Sequence, residues 1–234
     1  MIEISPTDRV FVLTGAGISA ESGLPTFRGT GGLWRNVPVE EVASPAAWKR
    51  DPQFVWEFYS MRRRAAFKAR PNPGHAALAA LEGHLQARLF LCTQNVDNLH
   101  EQAGSRNAVH MHGELFKSRC EFCSLPPFED ATTYEPPASL PRCECGHRVR
   151  PHICWFGEMP YHLDRIYQEL NRSTLFVAIG TSGAVAPAAN FAAQARVHAR
   201  TLYVGPEEPV NSWAFTECFL GKSGDLLPGL FRCG

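Results

Sequence analysis

The chain has 234 residues, with 23 Lys plus Arg against 23 Asp plus Glu and a formal net charge of zero. At that length roughly 70–75% of the unfolded surface can be buried, enough for one sizeable core and a small appended module. The balanced charge supplies no global field toward nucleic acid or an anionic membrane, and the longest apolar runs, such as Leu175–Ile179, fall far short of the roughly 20 residues a membrane span needs.

Met1–Ile4 runs almost at once into the strand-like Val10–Leu13, leaving no room for a signal or transit peptide. The expectation is a cytoplasmic monomer with neither nucleic-acid nor membrane partners. In a reducing compartment the eight cysteines point to metal ligation before disulfides. Cys92, Cys154, Cys218 and Cys233 are scattered and read as small apolar core residues.

In chain order, Val10–Leu13 is followed by Thr14-Gly15-Ala16-Gly17-Ile18-Ser19, a Gly-rich turn whose amides suit a phosphate or a tight structural turn. Pro25 and the glycines that follow force a loop, Thr26-Phe27-Arg28-Gly29 and Gly31-Gly32-Leu33-Trp34. Pro52–Arg70 is helix-like, with Tyr59 and Arg62 at i and i+3 on one face, and Pro71–Gly74 closes it. His75–Leu85 reads as a helix and Leu89–Cys92 as a buried strand, after which Gln94, Asn95 and Asp97 cluster at the strand's C-terminal end. His112 follows Asn95 by seventeen residues, in His110-Met111-His112-Gly113.

Cys120-Glu121-Phe122-Cys123 and Cys143-Glu144-Cys145 are two thiolate pairs separated by a Pro-rich loop, the pattern of a tetrahedral zinc site. Four thiolates leave no open position, so one structural zinc per chain is expected. Helix-like Leu163–Asn171, strand Leu175–Ile179 ending in Gly180-Thr181-Ser182, helix-like 187–198 and strand Thr201–Val204 complete the alternation. The fold class is therefore α/β: a Rossmann-like parallel sheet with helices on both faces, plus a small domain. Residues 1–35, 75–118 and 153–234 form the sheet domain; the helical insertion 36–74 and the zinc module 119–152 form the small one.

The loop Gly15–Trp34, the run Gln94-Asn95-Val96-Asp97, the His112-Gly113 pair and Gly180-Thr181-Ser182 together resemble the sirtuins, over about Val10 to Pro228. That resemblance implies an NAD-dependent protein-lysine deacylase that consumes NAD and yields nicotinamide and O-acyl-ADP-ribose. It places Gly15, Ala16, Gly17, Ser19, Thr26, Phe27, Arg28, Trp34, Gln94, Asn95, Val96, Asp97, Gly180, Thr181 and Ser182 around NAD, with Asn95, Asp97 and His112 also the catalytic set and His112 the general base. Gly205-Pro206-Glu207 stands where relatives have Asn-x-Glu; Gly205 and Glu207 keep the adenosine side without the Asn, which implies a weaker Michaelis constant for NAD. Ser223 is an adenine neighbour by position.

Phe156, Gly157, Glu158 and Val185 match the family's acyl-lysine tunnel, where an acyl-lysine peptide pairs with the main chain. Tyr59 and Arg62, with Thr26 where other branches place Asp, resemble the branch that prefers succinyl or malonyl groups. An Arg fork suits such a carboxylate. Two competing readings share these residues: a mono-ADP-ribosyltransferase, which also cleaves NAD, and an inactive NAD or zinc binding module. A hydride-transferring oxidoreductase needs the helix that Pro25 prevents.

Overall fold

A computed structural model describes residues 1–26, 33–34, 37–136 and 139–233. The four expected strands form the centre of one parallel sheet, as Val10–Thr14, Leu89–Thr93, Leu175–Ile179 and Arg200–Gly205. Val109–His110 and Glu217–Leu220 add its edges, and the spatial order runs 109–110, 89–93, 10–14, 175–179, 200–205, 217–220. The winding therefore reverses between Val10–Thr14 and Leu175–Ile179, and a crevice opens beyond the C-terminal ends of those two strands. Both strands, with Leu89–Thr93, are buried at every position, as continuous apolar runs between two helical layers must be.

Alternation decides what each face meets. Val10 and Val12 pack with Ile4, Leu78, Leu81 and Leu227, under Pro73–Leu85 and Ser223–Leu230. Phe11 and Leu13 pack with Ile166, Leu170 and Phe191 on the other side, under Leu163–Arg172 and Phe191–Ala195. The Phe11 ring lies 5.2 Å from Phe90 and 5.5 Å from Phe176, centroid to centroid, at the middle of this layer. Ile2–Ile4 pairs in parallel with Phe231–Cys233, an element with no signal in the sequence pattern.

The helix expected over 187–198 is shorter. Ala188–Asn190 is a tight 3₁₀ turn leading into Phe191–Ala195. Past it, the amides of Val197 and His198 bond to the carbonyls of Gln194 and Ala195, three residues back, which winds the chain out of the α-helix.

A second, antiparallel sheet sets Gly113–Cys120 between Phe128–Glu129 and Val149–Ile153. Against it lie Pro45–Arg50 and Pro52–Lys68, each opened by a capping side chain and a proline: Ser44 accepts from the Ala47 amide at 3.2 Å and Asp51 from Phe54 at 3.0 Å. Trp48, Trp56, Tyr59, Leu115, Ile153 and Trp155 form the core between these layers. Arg63 crosses it, donating from Nε to Leu115 O at 2.8 Å and from Nη2 to Ser118 Oγ at 3.0 Å, and pairing with Asp130 at 3.2 Å. Among the described residues no helix is long and apolar enough to cross a membrane.

Candidate active site

Strand register places Thr14, Thr93 and Ile179 level with one another, so Gly15, Gln94 and Gly180 are the next residues out at the crevice. There the two loops meet backbone to backbone: the Gly15 amide bonds to Ile179 O at 2.9 Å and the Gly17 amide to Gly180 O at 2.8 Å. A Cβ on Gly15 would stand 2.8 Å from Gly180 O, one on Gly17 2.7 Å from Gly180 Cα, and one on Gly180, whose φ is +59°, 2.5 Å from Ile18 N. Only hydrogen fits at these three positions. Gln94 Nε2 donates to Thr181 Oγ1 at 3.0 Å, joining the two candidate segments by side chains as well. Ser182 O accepts from Val210 N at 3.1 Å, and Gly205 is buried at the end of the next strand, followed by the exposed Glu207. Ser223 is buried at the start of the last helix, whose Gly224 amide is bonded by the Glu21 carboxylate. Phe27 and Arg28 lie outside the described residues, and of Trp34 the backbone pairing with Val37 is described; Thr26 ends the described part of the loop.

Asn95 is buried, its Nδ2 donating to Gly15 O at 3.1 Å and Ser19 Oγ at 3.0 Å. The segment Gln94–Asp97 is thereby tied to the Gly-rich loop, with Val96 buried next to Asn95. Asp97 is also buried and accepts from the Leu99 amide at 3.1 Å. Burial lifts its carboxyl above the usual range, opposed by that amide, by Ser19, and by the charges of His110 and Arg62. Two residues outside the sequence expectation support Asn95 from below. Thr14 donates to Thr93 Oγ1 at 2.8 Å, and Thr93 Oγ1 accepts the Asn95 amide at 3.0 Å. A threonine ending each of two adjacent buried strands is the signal that marks them.

Three neighbouring histidines are separated by their partners. His112 Nδ1 faces Gln94 O at 3.1 Å; the carbonyl can only accept, so Nδ1 carries hydrogen and Nε2 presents its lone pair. Burial lowers the His112 pKa, partly offset by that bond. His110 faces two acceptors, Asn95 O and Glu101 Oε1, each at 2.9 Å, so both its nitrogens donate. Burial disfavours its charge, but Glu101 overcomes this and raises its pKa. His100, against Thr14 at 2.9 Å, is pushed down to about 3 by burial and by His75 and His110. His100 also keeps a lone pair, on Nδ1, but its ring is fully buried; of the three, His112 alone offers a free acceptor nitrogen on a ring that is not fully buried.

Tyr59 and Arg62 lie one turn apart on Pro52–Lys68. The buried Tyr59 hydroxyl accepts from Trp155 Nε1 at 3.0 Å. Burial raises its pKa against the opposing pull of Arg62. Burial likewise lowers the Arg62 pKa, with Tyr59 and Asp97 as the opposing charges, so this guanidinium stands within electrostatic reach of both. Glu158 is held by Arg150 through two bonds, 2.7 and 2.9 Å, and accepts the Trp155 amide at 2.8 Å. Its side chain is thus occupied within the fold. Phe156 at 42% exposure and Val185 at 40% leave apolar surface open, and Gly157 at φ +89° has free space around it.

Cys120, Cys123, Cys143 and Cys145 bring their sulfurs within 4.8 Å of one another, with Cys120–Cys145 at 3.5 Å and Cys123–Cys143 at 3.6 Å. Tetrahedral Zn–S bonds of about 2.3 Å require sulfurs about 3.8 Å apart, so the set fits a structural zinc. The short Cys-x-Cys pair contributes both of its sulfurs. Purified protein is expected to carry one zinc per chain, and Cys143→Ser to lose it together with thermal stability, as read by metal analysis and a melting curve. A variant that kept full stability without zinc would remove the metal from the fold.

The comparisons with known proteins point one way. The Sir2 family model matches residues 15–187. An NAD-dependent protein deacylase of Caulobacter vibrioides is 46% identical over 224 residues, covering 94% of this chain and 94% of that one. Another, of Leishmania major, is 48% identical over 227 residues, covering 94% and 92%. A Sir2 homologue solved as an NAD complex superposes with a TM-score of 0.87 at 40% identity, over 95% of this chain and 88% of that one. With the family model spanning most of the sequence and relatives nearly half identical along almost all of it, this chain belongs to the Sir2 family, the sirtuins.

Proposed function

We propose that this protein is an NAD-dependent protein-lysine deacylase that favours acidic acyl groups such as succinyl and malonyl and also admits acetyl. NAD, as co-substrate, supplies the ribose carbon that takes the acyl oxygen, with nicotinamide as leaving group. The loops at Gly15–Ser19 and Gly180–Ser182 are suited to carry it, with Asn95 and Asp97 at the ribose and carboxamide. His112 Nε2 takes the proton of a ribose hydroxyl as that hydroxyl attacks the acyl carbon; the lysine amine then leaves with a proton, and a water molecule adds to the acyl carbon to give O-acyl-ADP-ribose. The cysteine cluster stands apart from these groups and serves the fold. The protein's partners are acyl-lysine proteins, and the balanced charge offers nucleic acid or an anionic membrane no global field.

The observation that carries the acidic preference is the placement of Tyr59 and Arg62 one turn apart on Pro52–Lys68, Tyr59 buried and Arg62 half-buried. A carboxylate on the acyl chain gains a charge-assisted bond there, worth about 1.5–3 kcal/mol, and an acetyl group gains none. Arg62→Met is therefore expected to cut kcat/KM for a succinyl-lysine peptide roughly 10- to 150-fold while changing that for the acetyl peptide by less than about threefold. Mass spectrometry of both peptides with and without NAD makes the comparison. An equal loss on both would sink the acidic reading and leave plain deacylation.

A further inference from the structure

Glu121 lies between the first two cysteines of the metal cluster, yet its carboxylate is occupied elsewhere. Oε1 accepts from the Arg148 amide at 3.2 Å and from Arg148 Nε at 3.1 Å, and Oε2 accepts from Trp48 Nε1 at 2.7 Å. The Trp48 ring packs on that of Trp155, centroids 5.7 Å apart and tilted 43°. Each indole carries an arginine: Arg148 lies 5.5 Å from the Trp48 centroid and Arg150 3.3 Å from that of Trp155. Trp155 then donates its indole hydrogen to Tyr59 at 3.0 Å.

We propose that Glu121 is a positioning residue for the acyl pocket, setting through Trp48 and Trp155 where the Tyr59 hydroxyl stands and which way it donates. The inference rests on Tyr59 being a pocket residue. Its polarity follows from the chemistry of the links. An indole N–H can only donate, so Trp155 occupies an acceptor lone pair of the Tyr59 oxygen and leaves the Tyr59 hydrogen to point elsewhere. An acidic acyl group supplies the acceptor for that hydrogen; an acetyl methyl supplies none. Trp48 and Trp155 are both buried, so a shift of one indole is passed to the other through packed contact.

Three variants of the full chain test this. Glu121→Ala removes the acceptor of the Trp48 hydrogen, Trp48→Phe removes the donor and keeps a ring, and Glu121→Gln keeps an acceptor. In nitrogen-15 spectra, the Trp155 indole N–H, assigned with Trp155→Phe, is expected to shift and exchange faster in the first two variants and to stay near its wild-type position in the third. In parallel, KM for a succinyl peptide is expected to rise roughly 3- to 10-fold in the first two, with kcat, KM for NAD and KM for an acetyl peptide within about twofold of wild type. Trp48→Phe lies outside the cluster and gives the same readouts should Glu121→Ala release zinc. An unshifted Trp155 signal in Trp48→Phe, or a KM change falling equally on both peptides, overturns the proposal. In a wild-type protein with no succinyl preference the pocket reading fails by itself; the indole signal still decides the positioning, shifted in support and unshifted against.

Discussion

Replacing His112 with alanine is expected to lower kcat for deacylation by roughly 10²–10⁴-fold while leaving exchange of free nicotinamide into NAD measurable. The difference follows from the order of bond changes: nicotinamide leaves before a base is needed, and the base acts when the ribose hydroxyl attacks the acyl carbon. The pH profile carries a second check. Burial lowers the His112 pKa, so its lone pair persists below the pH at which an ordinary histidine is half protonated, about 6.5. Activity should be flat through neutrality and fall on the acid side, at a pH below that value, as protonation removes the acceptor. Radiolabelled nicotinamide exchange and product formation, each measured across pH, separate the two steps. Equal loss of exchange and product formation in the variant, or an acid limb above the ordinary histidine value, would count against His112 as the base. His110→Gln is the control, because both nitrogens of that ring already donate to Asn95 O and Glu101.

The second large effect concerns the fold. Arg63 is 1% exposed and its partner Asp130 5%, so Arg63→Met leaves a buried carboxylate with its ion pair gone, along with the bonds to Leu115 O and Ser118. A loss of about 3–5 kcal/mol is expected in denaturant unfolding. Adding Asp130→Leu should recover part of it, since the unpaired charge then disappears. Arg64→Ala is expected to cost less than about 1 kcal/mol, because its bond to Glu135 joins two side chains that are 46% and 42% exposed. A loss for Arg63→Met as small as that for Arg64→Ala would show that the second sheet does not depend on this crossing.

Those two arginines, with Arg62, mark where the sequence stops being legible. Three consecutive identical residues read as a single basic run, yet successive helix positions are turned by 100°, which leaves Arg62 half-buried over the Phe58 ring, Arg63 in the core and Arg64 in solvent. Composition cannot separate them; the helix phase set by Val55, Trp56, Phe58 and Tyr59 can, once the facing sheet is known. What was legible had strong local causes. Buried runs such as Leu89–Cys92 and Leu175–Ile179 have few alternatives to a central parallel strand, and paired cysteines at short spacing have few alternatives to a metal. The contacts that were not legible join distant segments: Ile2–Ile4 with Phe231–Cys233, Glu121 with Trp48, and Thr14 with Thr93. The overlong helix at 187–198 has a related cause, since an alanine-rich run carries helix propensity whether or not a sheet lies beneath all of it.

The close approach of Gly15, Gly17 and Gly180 has a genetic consequence. Every missense change at any of the three codons adds a Cβ, and each such atom meets main-chain atoms of the opposite loop at 2.5–2.8 Å. Main chain is common to all twenty residues, so no second change in the facing loop can make room, and intragenic suppressors of these alleles should be confined to deletions or shifts of a whole loop. In a saturation library the three positions would stand out as tolerating nothing. Their neighbour Gly23, at φ +84° with open space around it, would accept asparagine.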